Sequence, residues 1–384
     1  MQLLLVSAIL VSPAEDRASD EPAPESSEAS SPQPQPRSDD DWPDLSEFLD
    51  EKYGFLPIAL PVTDPAVGYG AAGAVAFLSR PLGESRAGLG RPSITSVGGL
   101  GTENGTWAAA AGDLRYWLDD RIQTTVAAAY GSVNLEFFGI GKDSVLDDDP
   151  LDYNLETAAG FAQAKYRIGD TLLWIGLAYG FAATEVDFEP LPGTPGLPDF
   201  SRHTNAGGVT PTLTYDSRDN IFTPVSGTYV EAGGGIFSEA LGGDDEFQRA
   251  RVIAMQYIPL YPKWTLGFRG EVAASFGDEP FYLRPFITLR GAPILRYQGE
   301  EMAQIEAELR WQFWQRFSLV GFVGGGAVWN DFERFDDTQS VVTGGGGFRY
   351  ELARKYGIHM GLDVAFDRDN TAIYLQIGSA WARP

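Results

Sequence analysis

The sequence contains no cysteine, which excludes a disulfide framework and a thiolate metal site. It contains no run of about 18 apolar residues, so no helix of it can span a bilayer. One transmembrane architecture stays open, because a closed β-barrel also satisfies every backbone group within hydrocarbon. Basic residues are scarce: 28 lysines and arginines against 53 aspartates and glutamates give a formal net charge of −25. That balance argues against nucleic acid, whose affinity for proteins comes mainly from basic contacts to phosphate. The acidic surplus reads as a solvated surface. Only 21% of the 384 residues are charged, while 45 are glycine. Aromatic and β-branched residues interleaved with those glycines favour sheet over helix.

The first 14 residues predict an export signal. A short apolar core over 3–11 precedes Ser12-Pro13-Ala14, a small-x-small cleavage site. Residues 15–53 form an acidic tail rich in proline and serine, with the run PQPQP at its centre. Such a stretch cannot bury enough apolar surface to offset its ordering entropy, so it is expected to be disordered. Its end, DLSEFLDEKY over 44–53, predicts one or two helical turns. The tail leaves no room for a separate docking domain, since compact domains start at about 50 residues. Residues 54–384 are expected to form the barrel.

The cleanest strand signal is 302–313. Gln304, Glu306, Glu308, Arg310 and Gln312 share one face; Ala303, Ile305, Ala307, Leu309, Trp311 and Phe313 share the other. A period of two with one wholly apolar face marks a strand between two solvents. It suits a barrel wall with a wet lumen inside and lipid outside. Trp264, Leu266, Phe268, Val272 and Phe276 likewise oppose Thr265, Arg269, Glu271 and Ser275. Ile358, Met360, Leu362, Val364 and Phe366 oppose His359, Asp363 and Asp367, and Ile373, Leu375, Ile377 and Trp381 oppose Tyr374 and Gln376. Sixteen strands are predicted, beginning near residues 55, 67, 92, 105, 121, 154, 171, 206, 226, 247, 263, 302, 317, 340, 357 and 371. Transmembrane strands need about 9–11 residues each, and sixteen fit the span. The first contains Pro57 and Pro61, which suit a strand edge. Connections after even strands are mostly tight, at 118–120, 168–170, 261–263 and 315–316; those after odd strands are long, at 137–153, 187–203, 238–246, 277–301 and 330–339. Short turns at one end and long loops at the other is the outer-membrane arrangement. Residues 79–91 break the pattern and raise the question of a miscounted strand. A soluble β-sandwich would alternate too, but would bury its apolar face under a second sheet.

Two motifs stand out. Asp216, Arg218, Asp219, Asn220, Pro224 and Gly227 punctuate residues 216–227, where Asp and Asn bond their own backbone and Pro and Gly set φ. Leu289-Arg290-Gly291 lies within the longest connection. With Ala307-Glu308-Leu309-Arg310, the glycine-rich 321–329, residues 344–350 leading into 361–366, and Gly378-Ser379-Ala380-Trp381, these pieces resemble the BamA/TamA family of outer-membrane barrels, the bacterial surface antigens. Phe138-Gly139-Ile140-Gly141-Lys142-Asp143-Ser144 resembles a motif of its short members, which lack periplasmic docking repeats. The resemblance covers roughly 50–382. It implies an all-β transmembrane antiparallel barrel of about 16 strands in the bacterial outer membrane, with a long loop folded into the lumen. It also implies that the Leu289-Arg290-Gly291 tip meets an acid on a following strand, and that Gly378 to Trp381 form an aromatic end signal. Two positions depart from the family pattern. Ala292 stands where an aromatic is usual, and Gly324 where strand thirteen usually carries the acid. A buried guanidinium needs pairing, and Glu306, Glu308 and Asp363 are the candidates on inward faces.

By analogy with the family, the expected role is to assist other proteins in inserting into or crossing the membrane. Outer-membrane lipid, lipopolysaccharide and client proteins are the expected partners, and a weak seam beside the proline-bearing first strand is the expected device. The alternative is a passive pore for small solutes, narrowed by the inward loop. No enzyme and no cofactor or metal is expected. Gly68-Tyr69-Gly70-Ala71-Ala72-Gly73 matches G-x-G-x-x-G, but alternation continues through Val75 and Phe77, giving a glycine-rich strand where a nucleotide fingerprint needs a helix. Asp143, Asp147, Asp148, Asp149 and Asp152 fit no calcium-loop spacing and read as a charged surface loop. His203 and His359 are the only histidines, and no G-x-S-x-G accompanies them, so a serine hydrolase is excluded; His359 reads as a lumenal hydrogen-bonding group.

Overall fold

A computed structural model describes residues 42–46, 55–63, 66–79, 93–139, 146, 150–188, 200–330 and 338–381. The expected signal at 1–14, most of the tail, the acidic run 147–149 and most of the Phe138–Ser144 motif lie outside them. Sixteen strands form a single antiparallel sheet in sequence order. They are β1 Phe55–Val62, β2 Gly70–Ser79, β3 Ser93–Thr102, β4 Trp107–Trp117, β5 Ile122–Phe137, β6 Leu151–Arg167, β7 Leu173–Phe188, β8 Phe200–Asp216, β9 Gly227–Phe237, β10 Phe247–Tyr261, β11 Trp264–Gly277, β12 Glu301–Trp314, β13 Phe317–Trp329, β14 Gln339–Ala353, β15 Ile358–Phe366 and β16 Thr371–Ile377. Residues 80–92, between β2 and β3, lie outside the described residues, and sixteen strands are found among the described ones. Gly70 opens β2 and Gly73 lies within it, while Gly68, at φ 75°, stands in the turn before the strand. The shortest turns use left-handed residues, Lys263 at φ 75° and Gln315 at φ 35°, which match the twist of the strands they join.

Face alternation follows the expected parity. Ile305 is 60% exposed on the outer face, while Glu306 beside it is 2% exposed on the inner one. Leu309, Trp311, Leu362 and Val364 also point outward, with no second sheet covering them. Aromatics gather near the short-turn end of the wall, where Trp264 stacks on Trp311 at 5.1 Å and Trp314 on Phe317 at 5.6 Å. Two outward assignments are corrected. Ile358 is buried: it faces Ala353 across a bulge of β14 between Glu351 and Ala353, and packs with Ile58, Phe222 and Tyr356. Trp381 is buried in the lumen, because β16 ends four residues earlier.

The expectation of a wet lumen needs the larger correction. The loop 278–300 enters from the long-loop end and brings Phe281, Tyr282, Leu283 and Leu295 against Val133, Leu135, Leu155, Phe237 and Phe247 of the inner wall. Phe281 lies 4.9 Å from Phe137 and 5.6 Å from Tyr153, ring to ring. This half of the barrel is filled by an apolar core, because β5 to β10 carry aliphatic and aromatic side chains on inward parity near their long-loop ends. Near those ends the alternation is reversed, with Asn134, Glu136, Asn154 and Glu156 on the outward parity.

Residues 42–46, inside the stretch expected to be disordered, lie against the short-turn rim. Trp42 meets Phe317 edge-on at 5.0 Å and donates from Nε1 to Gln315 Oε1 at 2.8 Å. Leu45 N–H donates to Leu352 O at 2.9 Å, and Asp44 pairs with Arg316 at 3.0 Å. Partial burial raises the Asp44 carboxyl pKa, but hydrogen bonds from Ser46 and Arg316 outweigh it and hold it below the ordinary 3.8.

Two outcomes are expected. Ile305→Arg, which places a cation on the outer face, lowers unfolding stability in lipid vesicles by about 2–4 kcal/mol, whereas Ile305→Leu leaves the urea midpoint unchanged; equal midpoints for both would contradict a lipid-facing wall. A carboxyl with a depressed folded pKa contributes stability above its unfolded value and loses it as pH falls through the folded one. The fluorescence difference between wild type and Trp42→Phe should thus change below about pH 4, and Asp44→Asn should show the low-pH signal throughout.

Candidate functional site

The lumenal loop presents Arg290 to the inner wall. Its Nε donates to Glu306 Oε1 at 2.8 Å, its Nη1 donates to Asp363 Oδ2 at 2.8 Å, and its Nη2 is paired with Glu308 Oε2 at 2.8 Å. All three candidate acids thus meet one guanidinium, two from β12 and one from β15. The Phe322 ring covers the face of the group, with its centroid 3.6 Å from Cζ. Asp363 is fully buried and bridges to a second guanidinium, accepting from Arg349 Nη2 at 2.7 Å. Burial alone would lower the Arg290 pKa; the charges of Glu308, Glu306 and Asp363 reverse this and hold it above the ordinary range. A guanidinium suits the place because its planar fork can serve several carboxylates at once.

The missing acid on β13 has a steric reason. A Cβ at Gly324 would lie 2.9 Å from Leu289 Cδ2 and 3.3 Å from Glu306 Cγ; one at Gly326 would lie 2.9 Å from Ile287 Cδ1. Loop side chains occupy the space that β13 side chains would need, so the negative charge comes from β12 and β15. Leu289, Ile287 and Ala292 form a buried cluster with Met302, Val328 and Val341. Gly291 takes φ 96° and donates its N–H to Tyr374 Oη at 3.1 Å. Thr288 N–H donates to Gln304 Oε1 at 2.9 Å. The loop tip is thereby tied to β12, β15 and β16.

The second motif closes the opposite end. Asp216 receives Arg218 through Nε at 2.9 Å and Nη2 at 3.0 Å, and the guanidinium lies over the Tyr229 ring at 4.4 Å. Asp219 Oδ1 accepts from Val225 N–H, and Asn220 Oδ1 from the N–H groups of Phe222 and Thr223. Gly227 takes φ 104° with Ser217 O where a Cβ would be, 2.2 Å away. The turn folds inward, placing Ile221 against Ile94, Leu114 and Tyr116. Pro224 O accepts from Arg310 Nη2 at 2.8 Å, and Arg310 stands two residues from Glu308 on the same parity of β12. One arginine therefore joins the turn to the Arg290 cluster.

Residues 199–367 match the Omp85 superfamily domain. That stretch is 169 of the 384 residues. It holds the motif turn, the lumenal loop and all three acids around Arg290. Solved structures agree in fold. BamA from Haemophilus ducreyi lacking POTRA domains 1–3 superposes with a TM-score of 0.55 at 11% identity, covering 85% of this chain and 70% of its own. CdiB from Escherichia coli gives 0.59 at 10% identity, covering 84% and 62%, and CdiB from Acinetobacter baumannii gives 0.53 at 9%, covering 85% and 59%. The chain spans less than two thirds of either CdiB chain. No curated protein sequence matches it.

Sequence reasoning missed Phe322, Arg349, Tyr374 and Trp381 at this site. Arg349 was within reach of it, because it shares inward parity with Gly347, the register partner of Asp363. Of the histidines, His203 lies in β8 opposite Glu185, and His359 lies in β15, where its carbonyl accepts from Gly378 N–H at 2.7 Å.

Removing Arg290 leaves three carboxylates facing one another in a buried site, so Arg290→Ala should lower stability by about 3–5 kcal/mol, read as the urea midpoint in vesicles. Arg290→Lys should recover only part, because an ammonium lacks the planar fork. An Arg290→Ala midpoint equal to wild type would show that the cluster contributes nothing to stability.

Proposed function

We propose that the protein acts in the bacterial outer membrane, assisting other proteins to insert into or cross it, by opening between β1 and β16. The observation that carries this reading is the seam. Among the described residues, β1 pairs only with β2, and β16 only with β15. No backbone ladder joins the two ends of the sheet. The Thr63 hydroxyl bridges them instead, accepting from Ile373 N–H at 2.9 Å and donating to Ile373 O. β1 and β16 are also short, at 8 and 7 residues against 17 in β6 and β8. Pro57 and Pro61 have no N–H to offer a ladder. A net hydrogen bond contributes only about 1 kcal/mol, so in hydrogen bonds this seam is held far more weakly than the other described strand pairs, with Ile58 and Ile377 packed across it. The match of residues 199–367 to the Omp85 superfamily domain supports the same reading by analogy.

The passive-pore alternative is opposed by the filled lumen, where Phe281 and Arg290 anchor the loop across the channel. Lipid and lipopolysaccharide around the outer wall, and client proteins at the seam, are the partners this reading implies.

Cysteines introduced at Thr63 and Ile373 test it, with no native thiol to compete. Oxidation should lock the seam and cause unfolded outer-membrane proteins to accumulate in a strain that depends on the variant, and reductant should relieve this. A locked barrel that supports assembly as well as wild type overturns the proposal. In planar bilayers the wild type should give no steady single-channel steps; robust ones would favour the pore.

A further inference from the structure

Trp381 lies where lipid cannot reach it. Gly378 takes φ 78°, beyond the end of β16, and turns the chain inward. Trp381 is 2% exposed, packed with Tyr229, Ile253, Met255 and Tyr257. A glycine makes its pocket: a Cβ at Gly267 would stand 2.6 Å from Trp381 Cζ3. The indole Nε1 donates to Glu306 Oε2 at 2.6 Å. The other oxygen of that carboxylate, Oε1, holds Arg290. One buried side chain therefore accepts from the C-terminal tail and from the lumenal loop together. The second tie runs from Gly291 N–H to Tyr374 Oη on β16.

We propose that the C-terminal tail and the lumenal loop form a single latch, in which Trp381 and Tyr374 couple the last strand to the Arg290 tip. Trp381 is a positioning residue: its N–H fixes the carboxylate that Arg290 grips. Hydrogen bonds that share an acceptor in a low-dielectric interior reinforce one another. Withdrawal of the loop leaves Glu306 with one donor, and withdrawal of the tail does the same from the other side. Linkage requires the effect to be reciprocal. This coupling does not depend on what, if anything, passes through the seam.

Hydrogen–deuterium exchange of the full chain in lipid vesicles tests it. Trp381→Phe keeps the ring and removes the donor; amides of 286–298 should exchange about tenfold faster, along with the tail. Arg290→Lys should in turn speed exchange across 374–381. Tyr374→Phe should free the Gly291 amide, and Gly267→Ala, which crowds the indole out of its pocket, should reproduce the Trp381 result if Trp381→Phe fails to fold. Trp107→Phe, exposed on the outer face of β4, should leave both regions unchanged. If Trp381→Phe loosens only the tail, or Arg290→Lys leaves the tail untouched, the two are not coupled and the proposal falls.

Discussion

A guanidinium enclosed by three carboxylates is the constraint on which the rest of the lumen depends. Charge of either sign is costly to bury, and the cost is met only when each group has its partners in place. Arg290 comes from a loop; Glu306 and Glu308 come from β12 and Asp363 from β15. The pairing therefore requires a loop that folds back and a sheet curved enough to bring β12 and β15 around it. Phe322 covers the remaining face. The same cluster reaches the short-turn end through Arg310 and the carbonyl of Pro224, and the C-terminus through Trp381.

Glycine makes this arrangement possible. Gly324, Gly326 and Gly267 leave troughs on the inner wall that Leu289, Ile287 and Trp381 fill. Packing at this density leaves little room for a side chain at any of the three positions. The barrel is thus plugged from both ends by its own chain, with an apolar core under the long loop and the Asp216–Gly227 turn over the short-turn mouth. Among the described residues the β1–β16 seam carries no ladder, only the hydrogen bonds of the Thr63 hydroxyl with Ile373. For the role proposed above, a rigid interior beside such an edge would allow opening sideways while the loop stays docked.

The wall was legible in the sequence because a strand between two solvents alternates strictly, as residues 302–313 do. Strand starts fell within a few residues of those observed, with the largest difference at β8, which begins at Phe200 where 206 was expected. The three acids around Arg290 were legible from parity, since all lie on inward positions. The filled half of the lumen was not, because inward Val133, Leu135 and Tyr153 look like any apolar strand positions until the loop is seen against them. Trp381 was hidden by the same parity rule that worked elsewhere: it keeps the outward count of Ile373 and Ile377, but a left-handed Gly378 breaks the strand before it. Residues 42–46 have a tail's composition and no periodicity, so nothing local in them announces a docking contact.

Everything in this account requires the loop tip to be seated in the wall with the barrel folded. The most direct measurement places a single cysteine at Ala292, which is 4% exposed and next to Gly291. In folded protein in vesicles, that thiol should resist a membrane-impermeant maleimide, and it should become reactive when Arg290→Ala is added. Labelling of the Ala292→Cys protein at the rate of a freely exposed loop thiol, with Arg290 intact, would contradict a docked loop and the cluster built on it.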